Sequence, residues 1–137
     1  MEFEDKEQQL TSPELIFFLN NSGLNLPESY KNHILDHNGG SPTFPFFKTK
    51  KIHYFHSIKH GEFETLETIL DSLKDVLPEN FFPFAEDEGG NQFCISLENE
   101  NNGKVYFCPM DMGEVIPEFL SDSFDEFMSA LTEKNEY

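Results

Sequence analysis

Carboxylates are the most abundant chemistry in this 137-residue chain. It holds 26 Asp and Glu against nine basic side chains, all of them Lys, for a formal net charge of −17. The densest run is Glu86-Asp87-Glu88, set beside Gly89 and Gly90. Loop carboxylates are ligands that Ca2+ favours, but the ligand spacing of an EF-hand loop is absent. Three acids on a glycine-bearing turn suit a basic partner better, because loops on a rigid scaffold carry recognition. Glu86, Asp87, Glu88, Asp111 and Asp122 are therefore the candidate partner-binding residues. The competing reading is a solvated acidic face that keeps the chain soluble and binds nothing.

Other side chains carry weaker signals. His33 and His37 stand four apart, which turns both toward one side of a helix. A closed zinc site takes four ligands, and no Cys or third His stands at a fitting interval, so no metal is expected. Near a helix C-terminus the two His are mildly favoured as cations. Cys94 and Cys108 fall opposite one another if Leu97 pairs with Val105 and Ile95 with Phe107. In a reducing compartment they are expected as free thiols that fill space. Lys48, Lys50, Lys51 and Lys59 form the one basic stretch, mixed with Phe47, Tyr54 and Phe55. Basic and aromatic residues together suit single-stranded nucleic acid, yet the charge of the whole chain repels phosphate. These lysines are expected to meet acids of their own chain. The sequence has no G-x-x-x-x-G-K-[ST], G-x-G-x-x-G, G-x-S-x-G or H-E-x-x-H motif. No catalytic residue is assigned, no cofactor is expected, and an enzyme is the least favoured class.

The acids are unevenly placed. Residues 1–61 hold seven acids and six Lys, a net of −1, whereas residues 62–137 hold nineteen acids and three Lys, a net of −16. A field of that kind draws in a basic protein and speeds association by about 10–1,000-fold at low salt. The first ten residues are polar and acidic, unlike a signal peptide. The longest apolar run, Leu15 to Leu19, is too short to span a bilayer. Two cysteines do not make a secreted disulfide framework. The expectation is a cytoplasmic chain with no membrane or direct nucleic-acid partner, as a monomer or weak dimer.

The elements that must hold these residues are legible in part. Residues 1–11 read as a frayed end. Ser12 caps a first helix, with Pro13 and Glu14 in its first turn, an apolar face of Leu15, Ile16 and Leu19, and Gly23 as its stop. A second helix opens at Pro27 and Glu28, buries Tyr30, Ile34 and Leu35, and stops at Asn38-Gly39-Gly40. Residues 41–50 read as loop. Lys51 to Ser57 alternates like a strand, and Glu64 to Val76 has helical spacing through Leu66, Ile69, Leu70 and Leu73. Phe81–Ala85, Gln92–Glu98 and Lys104–Cys108 read as three strands, with the acidic turn between the first two. Ser123 and Glu126 form a capping box for a last helix, with Phe124, Phe127, Met128 and Leu131 on its inner face. The order α-α-β-α-β-β-β-α implies one α+β domain over residues 1–137, a mainly antiparallel sheet flanked by about four helices.

Three stretches together resemble a known family. They are L-P-E-S-Y-K-N-H-I-L-D-H-N-G-G-S-P from Leu26, F-F-P-F-A-E-D-E-G-G-N-Q-F-C-I-S-L from Phe81 with G-K-V-Y-F from Gly103, and S-D-S-F-D-E-F-M-S-A-L from Ser121. Their order and spacing, from about residue 12 to residue 131, resemble the SUKH superfamily. The resemblance implies a compact α+β fold in which Pro27, Tyr30, Asn38, Gly39, Gly40, Phe84, Gly89, Gly90, Phe93, Ser123, Phe124 and Phe127 are structural. It brings no shared catalytic set. It also implies a function: bacterial members look like immunity proteins that bind and neutralise a toxin, often a basic nuclease. The fungal founder, a regulator of cell-wall glucan synthesis, supplies the alternative of a regulatory interaction scaffold. A small-molecule sensor with a pocket among the Phe residues is the third reading.

Overall fold

Sixteen Phe and no Trp must be packed by a chain that is one-fifth acid, and a sheet whose central strand, Gln92–Ser96, is buried on both faces provides the core. The computed structural model describes residues 1–111 and 113–135. Its elements are β1 (Phe3–Glu4), α1 (Ser12–Ser22), α2 (Glu28–Asp36), β2 (Ser41–Pro42), β3 (Phe46–Phe47), β4 (Lys50–Lys51), β5 (Tyr54–Phe55), α3 (Leu66–Leu73), β6 (Phe81–Glu86), β7 (Gln92–Ser96), β8 (Val105–Cys108), β9 (Glu118–Ser121) and α4 (Phe124–Ser129). Five strands form the main sheet in the order β5-β6-β7-β8-β9, each pair antiparallel. Two small ribbons, β1–β2 and β3–β4, are separate two-stranded sheets. The class is α+β, with the antiparallel sheet the sequence implies.

Alternation along the strands sorts the core. Phe82, Phe84, Phe93, Ile95, Val105 and Phe107 join the helices in the main cluster. Tyr30 of α2 meets Phe82 and Phe124 edge-on, and Phe84 meets both Phe124 and Phe127. Such ring pairs add about 0.5–1.5 kcal/mol each beyond the area they bury. Cys94 and Cys108 belong to the other face, in a smaller cluster with Leu77, Leu73 and Phe81. Pro83 stands in a central strand, where a missing N–H would break the ladder. The register shifts between Pro83 and Ala85, so a bulge absorbs the defect.

The Asn38-Gly39-Gly40 stop of α2 does more than end a helix. Asn38 is buried, and its Nδ2 donates to the carbonyls of Gln8 and Ile58 at 2.8 and 3.0 Å. Its Oδ1 accepts from the Ile58 N–H at 2.8 Å. One amide thereby ties the N-terminal segment to the segment after β5. Gly40 has φ of +104°, and a Cβ there would sit 2.6 Å from the Glu4 carbonyl oxygen. Only glycine combines that backbone with that approach.

Several expectations are corrected. The first residues are not frayed: Phe3 pairs with Pro42 and stacks on His37, and Leu10 is buried. Thr11, not Ser12, caps α1, in a full capping box with Glu14. Its buried face is Leu15 and Phe18, while Ile16 points outward. The spacing i, i+3 won over adjacency. The expected loop over 41–50 carries β2, β3 and the start of β4, and the strand expected over 51–57 is broken into β4 and β5. The third helix spans Leu66–Leu73 only. At α4, Ser123 Oγ accepts from the Glu126 N–H, the first half of the expected box. The β7–β8 register differs by two residues: Ile95 faces Val105, Phe93 faces Phe107, and Cys94 faces Tyr106, not Cys108. An even shift keeps every side chain on its face, so the core reading survives the error.

Candidate partner-binding surface

The acidic turn between β6 and β7 is built by one of its own acids. Asp87 Oδ1 accepts from the N–H groups of Gly89 and Asn91, both at 2.9 Å, and Oδ2 accepts from Asn91 Nδ2 at 3.0 Å. Gly90 donates back to the Asp87 carbonyl. Asp87 is therefore spent on holding the turn. Glu86 leans toward the sheet, with its carboxylate 3.4 Å from Gln92 Nε2 and 3.7 Å from the buried His56 Nε2. Glu88 is the exposed member. Asn91 then uses Oδ1 to accept from the Met110 N–H at 2.7 Å. That bond pins the start of the β8–β9 connection beside the turn and brings exposed Asp111 next to it.

Beneath Glu86 lies a small polar assembly. His56 Nε2 shares a 2.9 Å hydrogen bond with Gln92 Oε1. Burial lowers the His56 pKa against the pull of Gln92, Glu86 and Glu64. Tyr54 is pushed up to about 12, first by burial, then by the charge and hydrogen bond of Glu86, then by Glu64. Glu86 is thus a carboxylate surrounded by neutral donors.

From Asp111 the acids continue along the sheet border. Glu114 and Glu118 are exposed, and Glu118 lies in β9. β9 is the outer strand and, among the described residues, pairs with β8 alone. Phe119 of β9 is 51% exposed and Ile116 just before it is 70% exposed. Lys50 reaches Glu118 at 3.1 Å and lies over the Phe107 ring, and Lys104 lies over Phe119. Asp122 follows β9 at its far end, away from the turn, since Ser121 pairs with Val105 while Gln92 beside the turn pairs with Cys108. The five predicted residues do not form one cluster. Glu86, Asp87, Glu88 and Asp111 gather at one end, Asp122 stands at the other, and β9 joins them.

Glu114, Ile116, Glu118 and Phe119 were not singled out from the sequence. Pro117 hides the strand, although a proline just before an edge strand costs no ladder bond. The expected pairing of the basic stretch holds for Lys50 and for Lys59, which meets Glu14 at 2.9 Å. Lys48 and Lys51 lie instead over the rings of Phe47 and Phe46.

His33 and His37 are corrected as cations. Both rings pack around Phe3, and His33 also meets Phe55 and Phe124. Burial, with His37 nearby, lowers the His33 pKa to about 4. Burial lowers His37 too. No third metal-ligating side chain joins them among the described residues.

A separate cleft of about 460 Å3 opens beside β5, with Gly39 and Gly40 in its wall and Asp5, Glu7, Glu62 and Glu64 around it. No helix among the described residues is long and apolar enough to cross a membrane.

Residues 9–130 match the model of the SMI1 / KNR4 family (SUKH-1). The chain belongs to this family. Within the SUKH-1 match lie every strand of the main sheet, all four helices and the whole acidic border from Glu86 to Asp122. The chain is also similar to the SPbeta prophage-derived uncharacterized protein YokK of Bacillus subtilis (strain 168), at 28% identity over 76 residues. That alignment takes in 54% of this chain and 38% of YokK, so the chain spans well under half the length of this relative. The SUKH-1 motif residues behave as structure: Tyr30, Phe84, Phe93, Phe124 and Phe127 are in the core, and Pro27 is the N-cap residue of α2.

Proposed function

We propose that this SUKH-1 chain is an immunity protein that binds a basic toxin and neutralises it by occlusion. The observation that carries the reading is the open border of the sheet. There an unpaired strand edge, two exposed apolar side chains and a file of carboxylates coincide. An exposed edge strand is a template for another chain, and exposed aromatics are the usual anchors of an interface. The carboxylates supply steering toward a basic surface. Against a nuclease, the same carboxylates stand where substrate phosphates would approach and so compete with them. No reaction is required of the chain, and binding alone suffices. A stable complex of this kind buries about 1,200–2,000 Å2, more than β9 alone offers. The turn at Glu86–Glu88 and Asp111 extends the contact. Membership of the SUKH-1 family supports the reading.

The test is stopped-flow association with the basic protein that the chain captures from its native host. Glu114→Lys with Glu118→Lys is expected to slow association about tenfold or more at low salt and to flatten its salt dependence. An unchanged rate and unchanged salt slope reject the border as the docking surface.

A further inference from the structure

The cover over β5 closes the ladder edge but leaves a hollow. The N-terminal segment and the loop before α3 both line the cleft of about 460 Å3. The Glu62 N–H donates to Glu7 Oε2 at 3.2 Å and links those two walls. Of the polar side chains in the lining, Ser57 is the most deeply placed. It is 5% exposed, and its hydroxyl makes no hydrogen bond among the described residues. Its carbonyl is already used, accepting from the Leu66 N–H at 2.8 Å. Two glycines leave the hydroxyl uncovered. A Cβ on Gly61 would lie 2.9 Å from the Ser57 Oγ, and one on Gly39 would lie 3.0 Å from the Ser57 Cβ. Buried polar groups are normally hydrogen-bonded, so an open hydroxyl at this depth marks a place for a partner from outside the chain.

The rest of the lining selects the chemistry of that partner. Four carboxylates, on Asp5, Glu7, Glu62 and Glu64, stand against one lysine, Lys6. Tyr54, Phe55 and Phe63 add aromatic rings, and Phe63 is 83% exposed. The carboxylates repel an anion, and an apolar ligand would strip water from them without replacing it. A cation answers both the charge and the rings, because ring faces attract ammonium and guanidinium groups. Its N–H groups suit the carboxylates and the Ser57 hydroxyl alike. The volume is that of a small-ligand site, for which about 300–1,000 Å3 is usual. We infer that the cleft binds a guanidinium or primary ammonium group carried on an alkyl chain. The charged head lies among Glu7, Glu62 and Glu64, the Ser57 hydroxyl accepts one of its N–H groups, and Phe63 packs over it. The head group has two sources, a free alkyl cation or a Lys or Arg side chain of another protein. The site is separate from the border proposed above: β5 and β9 are opposite edges of the sheet, so either reading can fail while the other stands.

Amide NMR titration of the full chain tests this with three probes. N-acetyl-arginine methylamide presents the head as a side chain, butylguanidine presents it without peptide groups, and N-acetyl-citrulline methylamide keeps the shape of the first without its charge. Both cations are expected to give saturable shifts centred on Gly39, Ser57 and Phe63, and the citrulline probe to bind at least about fivefold more weakly than the arginine probe. Tighter binding of the arginine probe than of butylguanidine assigns the site to a protein side chain, and the reverse assigns it to a free cation. Glu62→Gln with Glu64→Gln is expected to weaken the arginine probe about fivefold or more, and Ser57→Ala about threefold. Glu100→Gln, exposed in the hairpin loop between β7 and β8, removes a remote charge and is expected to leave binding unchanged. Circular dichroism checks that each variant folds. The proposal is overturned by the absence of saturable shifts, by shifts scattered over the whole acidic surface, or by a citrulline probe that binds as well as the arginine probe. A folded double variant or Ser57→Ala variant that binds like the wild type overturns it too, as does an equal loss in Glu100→Gln.

Discussion

The two edges of the main sheet are treated in opposite ways. At β5 the edge is closed. The Phe55 N–H donates to the Gly40 carbonyl at 2.7 Å, the Ser41 hydroxyl to the His53 carbonyl at 2.9 Å, and the β1–β2 ribbon packs alongside. At β9 the edge is open, with Glu118 and Phe119 exposed. Leaving an edge uncovered invites pairing with other chains, and charged side chains on it limit that to suitable partners. The closed edge is therefore read as architecture and the open edge as function. Mutations at the first should change stability, and mutations at the second should change binding.

The largest effect is expected from closing the one space the covered edge cannot give up. Gly40→Val places a side chain against the Glu4 carbonyl on a left-handed backbone. It should cost about 4 kcal/mol or more, from backbone strain and overpacking together, read by urea unfolding. Asn38→Ala removes three hydrogen bonds and leaves backbone groups of Gln8 and Ile58 without them. About 3 kcal/mol is expected, with faster hydrogen exchange in residues 3–10.

The covered edge should also respond to pH. His33 titrates near 4 when folded and near 6.5 when unfolded. The unfolded chain takes up the proton first as pH falls. The stability that neutral His33 contributes is thus complete above pH 6.5 and is lost progressively toward pH 4. A loss of about 3 kcal/mol across that window follows from the linkage, and His33→Phe should flatten the slope. A slope that His33→Phe leaves untouched would place the proton elsewhere. The smallest effect on stability belongs to the open edge. Phe119→Ser should move the unfolding midpoint by no more than about 0.5 kcal/mol, yet weaken toxin binding about tenfold. A destabilisation like that of Asn38→Ala would erase the contrast between the edges.

What could be read from sequence follows the same divide. Regular burial leaves a periodic trace, so α2, α3, β6, β7, β8 and the inner face of α4 were legible from spacing alone. The register of β7 on β8 was not, because a two-residue shift preserves every face and only the loop from Leu97 to Lys104 distinguishes the choices. The short ribbons escaped because two residues cannot show a period. Phe3 and Leu10 escaped because isolated apolar residues in a polar segment carry no pattern. Asp87 illustrates the limit for the binding surface. Its neighbours in sequence suggested display, whereas its side chain is consumed by the turn that displays Glu88. β9 was hidden by Pro117, and with it the aromatic member of the border.

The most direct test of the open edge is capture of the cognate partner from the native host, followed by titration against the wild type and the Glu114→Lys, Glu118→Lys variant. The account predicts one dominant basic protein, bound in the nanomolar range or tighter, with affinity for the variant reduced about tenfold or more. Several weak partners, or a tight partner indifferent to both substitutions, would contradict it.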